Sequence, residues 1–471
     1  MNITLSQTGQ YLAADIQTPI SLFLGLVGKS QGFLLESAEV DGKRGRYSVI
    51  GFNLLLRLGC KNGKLEVASR DARLACLKEY EGMDFLEGAR KVMNAIHIEP
   101  QEDMKDLPAI ARGMFGYFGY TTIGMFEKKL EDVLPPENSD ACLMLPGTLL
   151  LFDHLYNKLC LLNLADNLPV KMDRTAVERQ VETPQVGPVS TIPDKATFIR
   201  NVEHIQEQLR QGEAIQVVLS TRFQASFEGD PFVLYRRLRQ INPSPYMFFM
   251  RLSDISIIGA SPETMVRCEK DVVEVCPIAG TRKRGTTDAE DDRLAQELLA
   301  DPKERAEHVM LVDLGRNDVG RIAKAGSVSV EKCMQVEKFS HVMHLTSYVK
   351  ADLKDDVDAL DVLQATFPAG TVSGAPKIRA IELIEETEAI PREVYAGTLG
   401  WLGLDKDSVN LDTGILIRTM WVKNGTVQWQ CGAGIVHDSV PEKEWEECHN
   451  KGRVLNVTLS STNEGDVFSG R

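Results

Sequence analysis

FIRNVEHIQEQLRQG (198–212), followed by AIQVVLSTRFQASF (214–227), is the passage on which the fold turns. Apolar residues recur at helical spacing through the first segment, and Gly212 ends it as a glycine just past a helix does. Beyond that glycine the apolar residues alternate, the pattern of a strand with one buried face. Working outward, residues 19–160 carry further short apolar runs between Gly and Asp turns: SLFLGLVG, GFLLESAE, RYSVIGF, LLLRLG, ARGMFGYFGY and LMLPGTLLLFDH. These read as strands, with a helix near 73–96. Toward the C-terminus IIGASPETMV, VVEVCPI, SVSVEKCMQV, GTLGWLGL, NLDTGILIRTMWV and VQWQCGAGIV read as strands too. Strands grouped in runs, with helices between the groups, predict an α+β fold built on largely antiparallel sheets. Between Ala165 and Asp194 the apolar period fades and Pro169, Pro184, Pro188 and Pro193 gather, which marks a linker over 166–194.

Acidic residues outnumber basic ones by 67 to 53 in the 471 residues, a formal charge of −14. That balance argues against nucleic acid or an anionic membrane as the main partner. Hydrophobic residues make up 43% of the chain, enough for a large core in two or three domains or one intertwined pair. The nine cysteines are scattered without a C-x-x-C, as expected of reduced thiols in a cytoplasmic protein. No signal peptide or membrane-spanning run is evident.

Two segments concentrate carboxylates. Glu304 with Glu307, and Glu444 with Glu447, are Glu-x-x-Glu pairs behind Asp301-Pro302 and Ser439-Val440-Pro441, which read as capped helix starts. Residues three apart on a helix lie about 60° around its axis, so each pair projects to one side and suits a hard cation such as Mg²⁺. Glu304 has a plainer use, reaching back to the Asp301 backbone, and the helix dipole favours Glu444. Glu307 and Glu447 are therefore the preferred ligands. Lys451 follows Glu447 by four and Glu444 by seven, on the same stripe, where an ordinary surface ion pair is the competing reading.

Three glycine-rich segments, Gly370–Lys377, Asp313–Asp318 and Cys431–Gly434, lack the spacing of nucleotide loops. They read as tight turns or as backbone approaching a ligand carboxylate, with Thr371 and Ser373 as added donors. Arg418 breaks an apolar strand and needs an anion, either a ligand carboxylate or an internal acid.

The order of these segments resembles the chorismate-utilising enzymes, and among them most closely the anthranilate synthase component I family. The resemblance is carried by Gly259–Glu263 (GASPE), Pro277–Arg282 (PIAGTR), Glu304–Asp318, Val342–Leu345 (VMHL), Phe367–Lys377 (FPAGTVSGAPK), Gly432–Gly434 and the Glu444 helix. It implies an α+β fold of two intertwined lobes: an N-terminal domain over 1–165, a chorismate-binding catalytic domain over 195–462 and a tail over 463–471. It implies Mg²⁺ on Glu307 and Glu447, with Glu304 and Glu444 completing the acidic shell. Gly280, Thr281, Thr371, Tyr395, Arg418, Gly432, Ala433 and Gly434 would surround the substrate together with Lys451. Glu263 matches the acid that protonates the departing C4 hydroxyl, and His344 the histidine tied to pyruvate elimination; His308 and His341 are left as structural.

Two positions discriminate within the family. Water-adding members have lysine where this chain has Gln216, and members making 4-amino-4-deoxychorismate have lysine where it has Ala279. Both departures imply direct attack of ammonia. A feedback site for L-tryptophan is implied by Glu36 and Ser37 together with Asn242, Pro245, Tyr246, Met247 and Phe248. No glutaminase motif is present, so glutamine use implies a separate glutamine amidotransferase subunit, in an α₂β₂ assembly. A 4-amino-4-deoxychorismate synthase and a catalytically silent tryptophan-binding regulator stand as alternatives.

Overall fold

The computed structural model describes residues 1–37, 45–165, 170, 183–338 and 342–460. His341, most of the expected linker and the expected tail lie outside these residues. The deciding passage folds as read: helix Lys195–Arg210, capped by Asp194 accepting from the Thr197 amide, then strand Gln216–Glu228. Phe198, Val202, Ile205 and Leu209 form the buried stripe of the helix.

Strand Gln216–Glu228 pairs antiparallel with Thr426–Ile435, placing Val218 opposite Gly434 and Ser220 opposite Gly432. Its other edge takes Gly374–Ala375 at one end and Ser190–Ile192 at the other. N-terminal and C-terminal halves share sheets throughout. Strand Gly32–Glu36 pairs with Tyr246–Arg251, and Gly113–Phe118 pairs with Thr398–Gly403. The largest apolar core accordingly mixes Leu5, Phe115 and Leu145 with Ile257, Val349 and Leu411. Nearly all pairings are antiparallel; Ile3–Ala13 beside Ile96–Pro100 is parallel. The architecture is the α+β of antiparallel sheets flanked by helices that the sequence predicts.

SLFLGLVG, expected as a strand, is helical: Pro19–Leu22 continues into the wider turn Phe23–Val27. Thr18 and Ser21 form a reciprocal capping box and Pro19 takes the first helical position, so the start signal prevails over an apolar run with no clear period. The helix expected near 73–96 is split into Ala72–Tyr80 and Phe85–Ala95 around Gly82, whose φ is 82°. NLDTGILIRTMWV likewise forms two strands, Leu411–Ile415 and Thr419–Lys423, because Arg418 adopts a φ of 49° and turns the chain between them. No disulfide joins the cysteines among the described residues, and no described helix is long and apolar enough to cross a membrane.

Candidate active site

A cleft of about 2140 Å³ opens between the helix Pro302–Gly320, the helix Pro441–Ser460 and the sheet. Gln216, Glu263, Gly280, Thr281, Glu304, Glu307, His344, Thr371, Tyr395, Arg418, Gly432, Gly434, Glu444, Glu447 and Lys451 all line it. Residues spread over more than 230 positions of sequence thus meet in one place. Ala279 lines it as well.

The acids come from helix beginnings. Asp301 caps the first helix, accepting from the Lys303 and Glu304 amides. The Glu304 carboxylate does not bend back to Asp301; it accepts from Arg282 at 3.2 Å, and Arg282 also binds Asp301 at 2.8 Å. Glu307 lies above its ordinary pKa, first because it is buried and then because Glu304 and Glu447 repel its charge; Gln216 and Lys451 oppose that rise. Burial likewise raises Glu444, with Glu447 adding to the effect and a Ser439 hydrogen bond opposing it. Among the described residues no three His, Cys, Asp or Glu side chains form a ready metal cage. The donor set nonetheless fits Mg²⁺, which keeps several waters and takes only one or two carboxylates directly. Carboxylates that repel one another in a shared cleft are stabilised by such a cation.

Lys451 Nζ bridges Glu447 at 2.8 Å and the Gly432 carbonyl at 2.9 Å. The expected i,i+4 ion pair is therefore present, and it stands on the cleft wall. Burial acts to lower the Lys451 pKa, but Glu447, helped by Cys448 and Cys431, more than offsets it, so the pKa is raised.

Glu263 follows the strand Ser256–Ser261, and burial raises its pKa to about 7 even though Thr371 and Lys451 favour its charged form. Thr371 Oγ1 donates to Glu263 Oε1 at 2.7 Å. With a pKa of about 7, this acid exchanges between protonated and ionised forms near neutral pH, as a proton donor must. His344 Nδ1 donates to the Gly280 carbonyl at 2.9 Å, which leaves Nε2 of the neutral ring basic. Burial lowers its pKa, and Arg418 adds to that. Gly280 has a φ of 66°, and a Cβ there would press on Leu298 and on Glu304 Oε2. At Gly432 a Cβ would stand 2.6 Å from the Tyr395 hydroxyl and 2.9 Å from the Leu219 carbonyl, so glycine alone fits.

Ala433 departs from its expected place. Strand alternation points Gly432 and Gly434 into the cleft and Ala433 the other way, where it is fully buried with Phe198, Val202 and Leu383. Arg418 is deeply sheltered on the cleft wall, and burial lowers its pKa.

The residues expected around tryptophan gather at the sheet junction, with Glu36 opposite Met247. Glu36 already accepts from Tyr235 at 2.5 Å and from Arg239 at 2.9 and 3.1 Å. Alternation splits the aromatic set: Phe248 packs into the large core, while Met247 packs on the opposite face with Leu34 and Tyr235. Tyr246 donates its hydroxyl proton to Asp412 at 2.7 Å and accepts from the hydroxyl of Thr264, next to Glu263, at 3.0 Å. Asn242 and Pro245 reach the rim of the cleft itself. His308 is a buried histidine paired with Ser347 at 2.6 Å, the structural role left to it.

Sequence reasoning missed Gln430 and Asn450, which also line the cleft, and Arg282, which anchors Glu304. Gln430 lies in an alternating strand and Asn450 on the helix Pro441–Ser460, and a lone amide in either carries no signal of the space it faces.

A model of the chorismate binding enzyme family matches residues 53–456. The chain belongs to the chorismate-binding enzymes. Its relatives in that family include anthranilate synthase component 1 of Aquifex aeolicus, 42% identical over 96% of this chain and 94% of that protein. The component 1 protein of Acinetobacter calcoaceticus is 38% identical over 97% of this chain and 95% of its own. Among solved structures, anthranilate synthase component I from Streptococcus pneumoniae superposes with a TM-score of 0.71 at 34% identity, covering 94% of this chain and 98% of that one. The menaquinone-specific isochorismate synthase of Escherichia coli, at 18% identity and a TM-score of 0.72 over 97% of this chain and 96% of its own, shares the fold.

Proposed function

We propose that this chorismate-binding enzyme is the aminase subunit of an anthranilate synthase, converting chorismate and ammonia to anthranilate, pyruvate and water. The observation that carries the reading is the pair of side chains facing the substrate space where relatives of other specificity place lysine: Gln216 and Ala279. Gln216 cannot deprotonate water and Ala279 offers no nucleophile, so a small external amine is the reactant left. Full-length similarity to component 1 proteins supports it.

Arg418 and Tyr395, with the Gly432 and Gly434 backbone, would hold the enolpyruvyl carboxylate bidentately and by close approach. Ammonia adds its lone pair to ring C2, the ring double bonds shift, and the C4 hydroxyl leaves as water on the proton from Glu263. Nitrogen sheds a proton, giving 2-amino-2-deoxyisochorismate. His344 Nε2, placed as base, takes the C2 proton as the C3–oxygen bond breaks with its electron pair on oxygen; the ring aromatises, and the departing enolate takes that proton at its methylene carbon to become pyruvate. Glu307 and Glu447 would hold Mg²⁺, with Glu304 and Glu444 acting through water; bound there, the ion would neutralise the ring carboxylate in this acidic cleft. The same reading makes the protein a cytoplasmic lyase that draws ammonia from a separate glutaminase subunit in an α₂β₂ assembly. L-tryptophan would bind near Glu36, Ser37, Asn242, Pro245 and Tyr246 and inhibit by preferring a low-activity arrangement of the lobes.

The test is incubation of the purified chain with chorismate, Mg²⁺ and ammonium, following anthranilate fluorescence with and without tryptophan and weighing the products by mass. Fluorescent anthranilate suppressed by tryptophan supports the whole reading. Accumulation of 4-amino-4-deoxychorismate overturns the choice of product, and no turnover leaves a tryptophan-binding regulator.

A further inference from the structure

Behind the cleft, and outside its lining, lies an arginine with 0% of its surface exposed. Arg392 makes a bidentate pair with Glu388, Nε to Oε2 at 2.9 Å and Nη2 to Oε1 at 2.7 Å. Nη1 donates to the Val372 carbonyl at 2.7 Å and Nη2 to the Val218 carbonyl at 2.7 Å. The guanidinium carbon lies 4.8 Å from the Tyr120 ring centroid and 5.4 Å from that of Tyr395. Glu388 Oε1 in turn accepts from the backbone and hydroxyl of Ser220 at 2.8 and 2.7 Å.

Val372 and Tyr395 line the cleft, and Val218 lies on the strand of the cleft residue Gln216. Val372 ends the turn Gly370–Val372, whose Thr371 holds Glu263. Val218 sits two residues along the strand from Gln216, just past the register of the paired segment Gly374–Ala375: its amide bonds the Ser373 carbonyl at 2.9 Å, and its own carbonyl takes Arg392 as donor. Tyr395 closes on Gly432. The planar fork of an arginine can satisfy a carboxylate and two carbonyls in one plane while its face meets two rings, which no other side chain does.

We propose that Arg392, held by Glu388, is a positioning residue for the reaction: it locks the Gln216 strand, the Thr371 turn and the Tyr395 ring in mutual register without touching substrate. The proposal rests on the anthranilate-forming reading of the cleft. Stability alone is a poor reason for such a group, because a buried ion pair is often matched or exceeded by apolar packing of the same volume. Registry is the better reason, since a displacement of about 1 Å at reacting groups can cost on the order of a hundredfold in rate.

Wild-type turnover of chorismate and ammonium is measured first, so that loss of the functional reading is seen independently of any variant. Arg392→Lys keeps the charge but loses the fork and the stacking. The expected result is a melting temperature within a few degrees of wild type, a KM for chorismate within about threefold, and kcat lower by at least about tenfold. A folded Arg392→Lys with wild-type kcat and KM, or a kcat that falls only in proportion to the folded fraction, overturns the proposal. Should that variant not fold, Glu388→Gln, which keeps the shape of the anchor, is judged by the same two outcomes.

Discussion

Replacing Thr371 by valine removes a hydroxyl while keeping the side-chain volume, and the consequence should fall on Glu263. The Thr371 hydroxyl donates to its carboxylate at 2.7 Å, and burial has already raised the acid to about 7. A hydrogen bond to a charged group contributes about 1.5–3 kcal/mol, and 1.36 kcal/mol corresponds to a tenfold change in proton affinity. Glu263 borders a cleft open to water, which weakens the bond, so the lower figure applies and the pKa should climb from about 7 to about 8. Difference infrared titration of the carboxyl band, with Glu263→Gln as the blank, reads that value directly. If Glu263 acts in its protonated form, as proposed, the limb of kcat that falls with rising pH should move to higher pH in parallel. A midpoint that stays put or moves down would refute the assigned hydrogen bond, and a shifted infrared midpoint with an unmoved kinetic limb would refute Glu263 as the acid.

Glu447→Gln should lower Mg²⁺-dependent turnover by more than about a hundredfold, since the proposed metal ligand and the partner of Lys451 go together; wild-type rates across a Mg²⁺ titration would exclude Glu447 as a ligand. His344→Met should leave amination intact and release 2-amino-2-deoxyisochorismate, detected by mass, and normal anthranilate yields would remove His344 from the elimination step. Glu263→Gln should raise thermal stability while abolishing activity. The folded protein holds Glu263 protonated above its unfolded pKa, so wild-type stability declines as pH rises from about 4.3 to about 7, and the gap in melting temperature should open over that interval and then level off. A gap independent of pH would mean Glu263 is not the group responsible.

The parts of this molecule legible in its sequence are those whose cause is local. Asp301-Pro302 starts a helix because the cap and the proline act within one turn, and Glu304 and Glu307 reach the cleft as their spacing predicts. Gly432 and Gly434 were readable as close backbone approaches. What eluded the sequence depends on partners far along the chain or on a single angle. Arg418 looks like a strand residue until its φ of 49° is known. Ala433 and its two glycines were grouped by motif, but the pleat assigns them to opposite faces. Met247 and Phe248 separate for the same reason. SLFLGLVG is apolar on every side, so only the Thr18 and Ser21 cap reveals a helix. Glu388, four residues before Arg392, is within reach of a sequence window, but Arg392 draws its meaning from Val218 and Val372, contacts 174 and 20 positions away.

The pairing of Gly113–Phe118 with Thr398–Gly403 fixes a timetable as well as a shape. During synthesis from the N-terminus the first of these strands emerges long before its mate, and its free edge must wait while most of the remaining chain is made. The N-terminal half therefore cannot finish as an independent unit on the ribosome. Its apolar faces stay open until residue 403 has cleared, which makes the nascent protein a natural client of chaperones. A chain truncated before that strand would be left with an unpaired edge and would aggregate, whereas a chain cut in an exposed loop and expressed as two pieces together could still knit into one enzyme.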